Sequence, residues 1–105
     1  MTKAIIPQEL FNMLQNGAPV TLIDVREQEE YVEGHIEGSR LIPRVTFLAD
    51  PILVNPEHPT VFICRSGRRS QEALNAFSAK FPDATAYNLT GGILAWIAAS
   101  LPIEK

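Results

Sequence analysis

The sequence predicts an α/β fold with a mainly parallel sheet flanked by helices on both faces. Short β-rich runs alternate with helical stretches along the 105 residues, the order that a parallel sheet with crossover helices requires. One run, Thr60 to Cys64 (Thr-Val-Phe-Ile-Cys), is apolar nearly throughout, as strands buried on both faces are. The length suits one domain over residues 1–105, and neither a Ser/Gly-rich linker nor a fixed-period repeat divides it.

The elements follow in order. Lys3 to Ile6 reads as a first strand, leading to Pro7 at the first turn of a helix. Ile6, Leu10 and Leu14 recur at four-residue spacing there until Asn16-Gly17 stops it. No Ser or Thr precedes Pro7 to cap that helix. Val20 to Val25 is the second strand, and Glu27, Glu29 and Glu30 suit the positive end of a second helix closed at Gly34. Leu41-Ile42 is a short third strand. Between Arg44 and Pro59, the prolines Pro51, Pro56 and Pro59 predict an irregular connection with one helical turn near Thr46 to Asp50. After the fourth strand, Thr60 to Cys64, residues Ala73, Leu74, Phe77 and Phe81 share one face of a helix ended by Pro82. Ala84 to Asn88 is the fifth strand. Thr90 is placed to cap a last helix with an apolar stripe of Ile93, Leu94, Ile97 and Leu101.

Composition narrows the function. Hydrophobic residues make up 46% and charged residues 20%, near the globular average and far from a disordered chain. A formal charge of −3 offers nucleic acid or an acidic membrane no global attraction. Met1 to Leu10 lacks the apolar core of a signal peptide. Gly91 to Ile103 is interrupted by Ser100 and Pro102 and falls short of the ~20 residues that span a bilayer. The cytoplasm is the expected location. A single cysteine, Cys64, excludes an internal disulfide and cannot make a zinc site alone.

Cys64 stands at the carboxyl end of the most apolar strand, where sites gather in parallel sheets. The loop that follows is Arg65-Ser66-Gly67-Arg68-Arg69-Ser70, so three of the nine Lys and Arg residues lie between positions 65 and 69 of an acidic chain. Guanidinium groups, the start of the next helix and loop N–H groups all favour a thiolate. Gly67 permits a tight turn, and Ser66 and Ser70 add hydroxyl donors. A buried core cysteine would draw nothing from such neighbours. The pattern describes an anion nest with a nucleophilic sulfur at its floor.

These residues resemble the single-domain rhodanese family, and the likeness runs nearly the full chain. It is carried by Leu22-Ile23-Asp24-Val25-Arg26 with Glu30-Tyr31, by Gly34-His35-Ile36 with Gly38, by Ile42-Pro43, by the loop Cys64 to Ser70, and by Asn88-Leu89-Thr90-Gly91-Gly92-Ile93-Leu94-Ala95-Trp96. The resemblance implies a rhodanese-like three-layer domain with a five-stranded mainly parallel sheet. It also implies a sulfurtransferase whose Cys64 cycles through a persulfide cradled by the amides of residues 65 to 69 and the next helix. The donor would be a small anion such as thiosulfate or a persulfide, and the acceptor an external thiol or cyanide. A carrier that relays sulfur to a protein partner is the alternative. No metal or organic cofactor is required, and neither nucleic acid nor membrane is an expected partner.

Within that resemblance Cys64 is the expected catalytic residue, and Arg65, Ser66, Gly67, Arg68, Arg69 and Ser70 the substrate-binding loop. Arg69 is placed to hold the loop, with Arg65 and Arg68 facing the donor. Asp24 and Arg26 resemble a family pair that braces neighbouring loops. His35 falls in a structural turn, His58 in a solvated loop, and Trp96 in the core or a pocket wall, while Gly91 and Gly92 allow close backbone approach to the loop. Cysteine phosphatases and arsenate reductases use a related cradle, but the phosphatase signature has its arginine six positions after the cysteine. Here position six is Ser70, and Arg69 stands at five.

Overall fold

A computed structural model describes residues 3–51, 54 and 56–105. Five strands, β1 (Ala4–Ile5), β2 (Thr21–Asp24), β3 (Arg40–Leu41), β4 (Thr60–Ile63) and β5 (Ala86–Leu89), form one sheet in the order β1-β5-β4-β2-β3. Every pairing is parallel, so all strand carboxyl ends share one edge. Helices α1 (Pro7–Gln15), α2 (Gln28–Glu33), α3 (Arg44–Ala49), α4 (Arg68–Lys80) and α5 (Gly92–Ala98) complete a three-layer α/β fold. Among the described residues no helix is long and apolar enough to cross a membrane.

β4 is buried at all four positions, and its side chains alternate between two cores. Phe62 and Cys64 pack with Phe47 of α3 and with Ala73, Leu74 and Phe77 of α4. Val61 and Ile63 pack on the other face with Leu10 of α1 and with Ile93 and Trp96 of α5. Phe47, Phe62 and Phe77 form a ring cluster with centroids 5.1 to 6.5 Å apart, a geometry that adds to their apolar burial.

Several local expectations shift. At α1 the missing hydroxyl cap is offset by Glu9, whose carboxylate accepts the Ile6 N–H at 3.3 Å, and Ile6 itself lies half exposed outside the apolar stripe. The connection after β3 begins with a six-residue helix at Arg44, directly behind Pro43. The turn expected near Thr46 to Asp50 falls in it as far as Ala49, with Asp50 as the C-cap; positions 52, 53 and 55 of that connection lie outside the described residues. Thr90 does not cap α5, because its N–H continues the sheet by bonding to Ile5 O. The helix starts instead through Gly91 at φ +74°. Its seven residues turn Ile93 and Trp96 inward and leave Leu94 and Ile97 44% and 48% exposed. A two-turn helix is too short for periodicity to single out its buried face.

Candidate active site

The Cys64 side chain lies beneath the loop that joins β4 to α4. Gly67 takes φ +100°, the left-handed turn that lets its N–H donate to Cys64 Sγ at 3.0 Å. The Ser70 hydroxyl lies 3.2 Å from the same sulfur. Burial pushes the thiol up, but the Ser70 hydroxyl and the amides of Ser70, Gly67 and Ser66 outweigh it and hold Cys64 below the ordinary thiol value. Hydrogen bonds to the anion, more than the arginines, are what favour a thiolate here.

The loop amides face the sulfur because their carbonyls are held elsewhere. Ile93 N–H donates to Cys64 O at 2.8 Å and Leu94 N–H to Arg65 O at 3.1 Å. In a trans peptide the C=O and N–H point oppositely, so tying Arg65 O to α5 turns the Ser66 N–H toward the sulfur. Gly92 makes this contact possible: a Cβ there would stand 2.5 Å from both Cys64 O and Arg65 O.

Of the predicted loop residues, Arg65, Ser66 and Arg68 are exposed, Gly67 and Arg69 are half-buried and Ser70 is buried. Arg69 makes a two-pronged ion pair with Glu30 of α2, at 2.7 and 2.9 Å. That pair, helped by the Glu27 N–H and opposed by burial, lowers the Glu30 carboxyl to about 2. Asp24 and Arg26 are both buried. Arg26 Nε and Nη2 donate to the Asp24 carboxylate at 2.8 to 3.1 Å, and the guanidinium also reaches Gly34 O at 2.7 Å and Glu30 O at 3.3 Å. The pair thus fixes α2, which presents Glu30 to Arg69. Beside the loop opens a cleft of about 210 Å³ whose lining includes Arg65, Glu30, Leu94 and Ile97.

Two further residues, Glu30 and Asn88, belong to the site. Glu30, in sequence a helix-start charge and part of the family resemblance, is the partner that holds Arg69. Asn88 donates from Nδ2 to Gly67 O at 2.9 Å and to Gln71 Oε1 at 3.1 Å, while its Oδ1 accepts the Ser70 hydroxyl at 2.5 Å. A polar residue inside an otherwise apolar strand was the available signal, since such a group needs partners. The remaining candidates lie elsewhere. His35 Nδ1 donates to Tyr31 O at 2.8 Å and its ring stacks on Tyr31 at 3.9 Å, His58 is exposed, and Trp96 is buried with Nε1 donating to Pro102 O. Among the described residues no group of three or more His, Cys, Asp or Glu is placed to hold a metal.

Comparisons with known proteins converge on one family. A family model described as rhodanese-like domain matches residues 6–99. A thiosulfate sulfurtransferase, GlpE, from Pseudomonas paraeruginosa is 33% identical over 93 residues, covering 88% of this chain and 81% of that protein. A probable adenylyltransferase/sulfurtransferase, MoeZ, from Mycobacterium tuberculosis is 42% identical over 95 residues, but this chain spans only 24% of its length. The crystal structure of a rhodanese-like domain protein from Staphylococcus aureus superposes with a TM-score of 0.78 at 32% identity, covering 90% of this chain and 91% of that one. With a family model matching residues 6–99, the chain belongs to the rhodanese-like domain family.

Proposed function

We propose that residues 1–105 act as one sulfurtransferase domain that holds a sulfane sulfur as a Cys64 persulfide and relays it to a protein partner. The observation that carries this reading is the convergence of loop amides on the one cysteine of the chain. As thiolate, Cys64 attacks the outer sulfur of its donor. With thiosulfate, the Cys64 S–S bond forms as the bond to the sulfonate breaks, sulfite leaves with the electron pair, and the transferred sulfur carries the negative charge. Loop amides already aimed at the sulfur stabilise that anion without reorganising. Arg65 and Arg68, exposed at the mouth, attract the donor and offset charge on sulfite, while Ser66, Gly67 and Ser70 supply the cradle. Arg69 holds the loop through Glu30, and Asp24 with Arg26 braces the helix that carries Glu30.

No second cysteine exists in the chain to take the sulfur, so the acceptor is external. Its thiolate attacks the outer sulfur of the protonated persulfide, the proton travels with that sulfur, and Cys64 leaves as thiolate. The exchange is ping-pong and uses no metal or organic cofactor. The mycobacterial relative whose name joins sulfurtransferase to adenylyltransferase supports a relay to a partner, as do exposed Leu94 and Ile97 beside Arg65, apolar surface of the kind a protein acceptor covers. The cytoplasm, where thiol acceptors stay reduced, suits such a carrier. The Pseudomonas relatives named thiosulfate sulfurtransferase favour a second reading, direct transfer from thiosulfate to cyanide or a small thiol. A phosphatase is disfavoured, because Arg69 is one position early and already paired with Glu30.

Intact mass after thiosulfate treatment tests the proposal. A gain of one sulfur, absent in Cys64→Ser, is expected, and no gain from any sulfane donor sinks it. Faster discharge to protein thiols than to cyanide or glutathione supports the relay; the reverse order supports the second reading.

A further inference from the structure

Once Cys64 ionises, the polar network behind the sulfur has one hydroxyl proton for two acceptors, Cys64 Sγ and Asn88 Oδ1. Gly67 O is a backbone carbonyl and only accepts, so the Asn88 amide must turn Nδ2 toward it and Oδ1 toward Ser70. The Ser70 hydroxyl has a single proton, and the contact with Asn88 Oδ1 at 2.5 Å takes it. At the 3.2 Å contact between Ser70 Oγ and Cys64 Sγ, the donor is then the S–H of the thiol. When Cys64 ionises, the Gly67 N–H still donates to its sulfur, but the Ser70 hydroxyl can add its own hydrogen bond only by leaving Asn88 Oδ1. Two acceptor oxygens would then face each other without a proton between them, inside a buried cluster.

We infer that Asn88 is a positioning residue that holds the Ser70 proton away from Cys64 and so restrains ionisation of the thiol. The inference rests on Cys64 being the reacting sulfur. Asn88 bonds Ser70, Gly67 O and Gln71 and acts on the sulfur through Ser70. In the persulfide the charge sits on the outer sulfur, while Cys64 Sγ is divalent and carries no proton. The Ser70 proton can then stay on Asn88. The network therefore disfavours the free thiolate without disfavouring the loaded form, biasing Cys64 toward holding sulfur.

The charged groups of the surrounding elements are Arg65 in the loop, Arg68 and Arg69 of α4, Glu30 of α2, Asp24 at the end of β2 and Arg26 just beyond it. Glu30 pairs with Arg69 and Asp24 with Arg26, and a neutral substitution at Asn88 changes the charge of none of them. The rate of iodoacetamide alkylation against pH reads the Cys64 thiolate in the full, unloaded chain with no sulfur transfer. Asn88→Ala is expected to lower the midpoint by about one pH unit, the order of a hydroxyl-to-thiolate hydrogen bond released from competition. On a Ser70→Ala background the same substitution should leave the midpoint where Ser70→Ala alone puts it. An unchanged or raised midpoint in Asn88→Ala, or an equal fall on both backgrounds, overturns the inference. Should Asn88→Ala not fold, the infrared S–H band of the reduced wild-type chain decides, and the single cysteine makes its assignment unambiguous. A band at lower frequency than in Ser70→Ala is expected, and an equal frequency overturns the inference. Neither readout depends on the thiosulfate mass gain, so this inference and the sulfurtransferase reading fail separately.

Discussion

Two strand-to-helix junctions lie side by side at the carboxyl edge of the sheet, β4 to α4 and β5 to α5. Both enter their helix through a left-handed glycine, Gly67 at φ +100° and Gly91 at φ +74°. In the first, loop amides turn inward to Cys64. In the second, the helix amides of Ile93 and Leu94 are consumed by the carbonyls of Cys64 and Arg65. A glycine turn and a helix start are thus not enough to make an anion cradle. One junction keeps its amides free for chemistry because its neighbour spends its own to hold the carbonyls away.

The largest effect is expected at the junction without chemistry. Gly92→Ala places a methyl 2.5 Å from two backbone carbonyl oxygens at φ +62°, where neither strain nor overlap can be relieved by a side chain moving. A loss of about 4 kcal/mol is expected, with the alkylation midpoint of Cys64 returning toward the ordinary thiol range. Calorimetric melting and the pH profile measure the two effects. A fully stable Gly92→Ala with unchanged alkylation would show that α5 does not orient the loop.

Arg26→Ala attacks the support one element further away. It leaves the buried Asp24 carboxylate unpaired and frees Gly34 O and Glu30 O, an expected loss of about 3 kcal/mol in denaturant unfolding. Gly67→Ala sharpens the contrast from the other side. Its Cβ meets nothing closer than 3.5 Å, so only the positive φ opposes it, at about 1–2 kcal/mol. The glycine beside the reactive sulfur should therefore tolerate a methyl better than the glycine beside no reactive group, a ranking that melting temperatures of the two variants check.

Sequence pattern made the strands and the sulfur loop legible because both are local. Strand periodicity, the apolar run before Cys64 and the basic run after it lie within a few residues of one another. What escaped depended on distance along the chain. Arg69 shows itself as a loop arginine, but its partner Glu30 lies 39 positions away. Asn88 reaches Ser70 across 18. Thr90 has the hydroxyl that helix caps favour, yet pairing with β1 claims its backbone. Exposure of Leu94 and Ile97 likewise follows from how α5 docks on Cys64 O and Arg65 O, which no helical period in seven residues encodes.

The smallest effect separates holding the loop from charging the sulfur. Glu30 has its carboxyl at about 2 in the folded chain against an ordinary 4.5, so its ion pair contributes stability above pH 4.5, and that contribution fades as pH falls through 2. Both partners are about 30% exposed, which limits the contribution to about 1 kcal/mol. Glu30→Gln and Arg69→Ala should each flatten the acid limb of the unfolding curve between those values. Their effects on Cys64 should have opposite signs. Arg69 interacts favourably with a Cys64 thiolate, so Arg69→Ala raises the alkylation midpoint slightly, whereas Glu30→Gln leaves the arginine charge uncompensated and lowers it. Shifts of the same sign would mean that the pair acts on the sulfur only by positioning the loop.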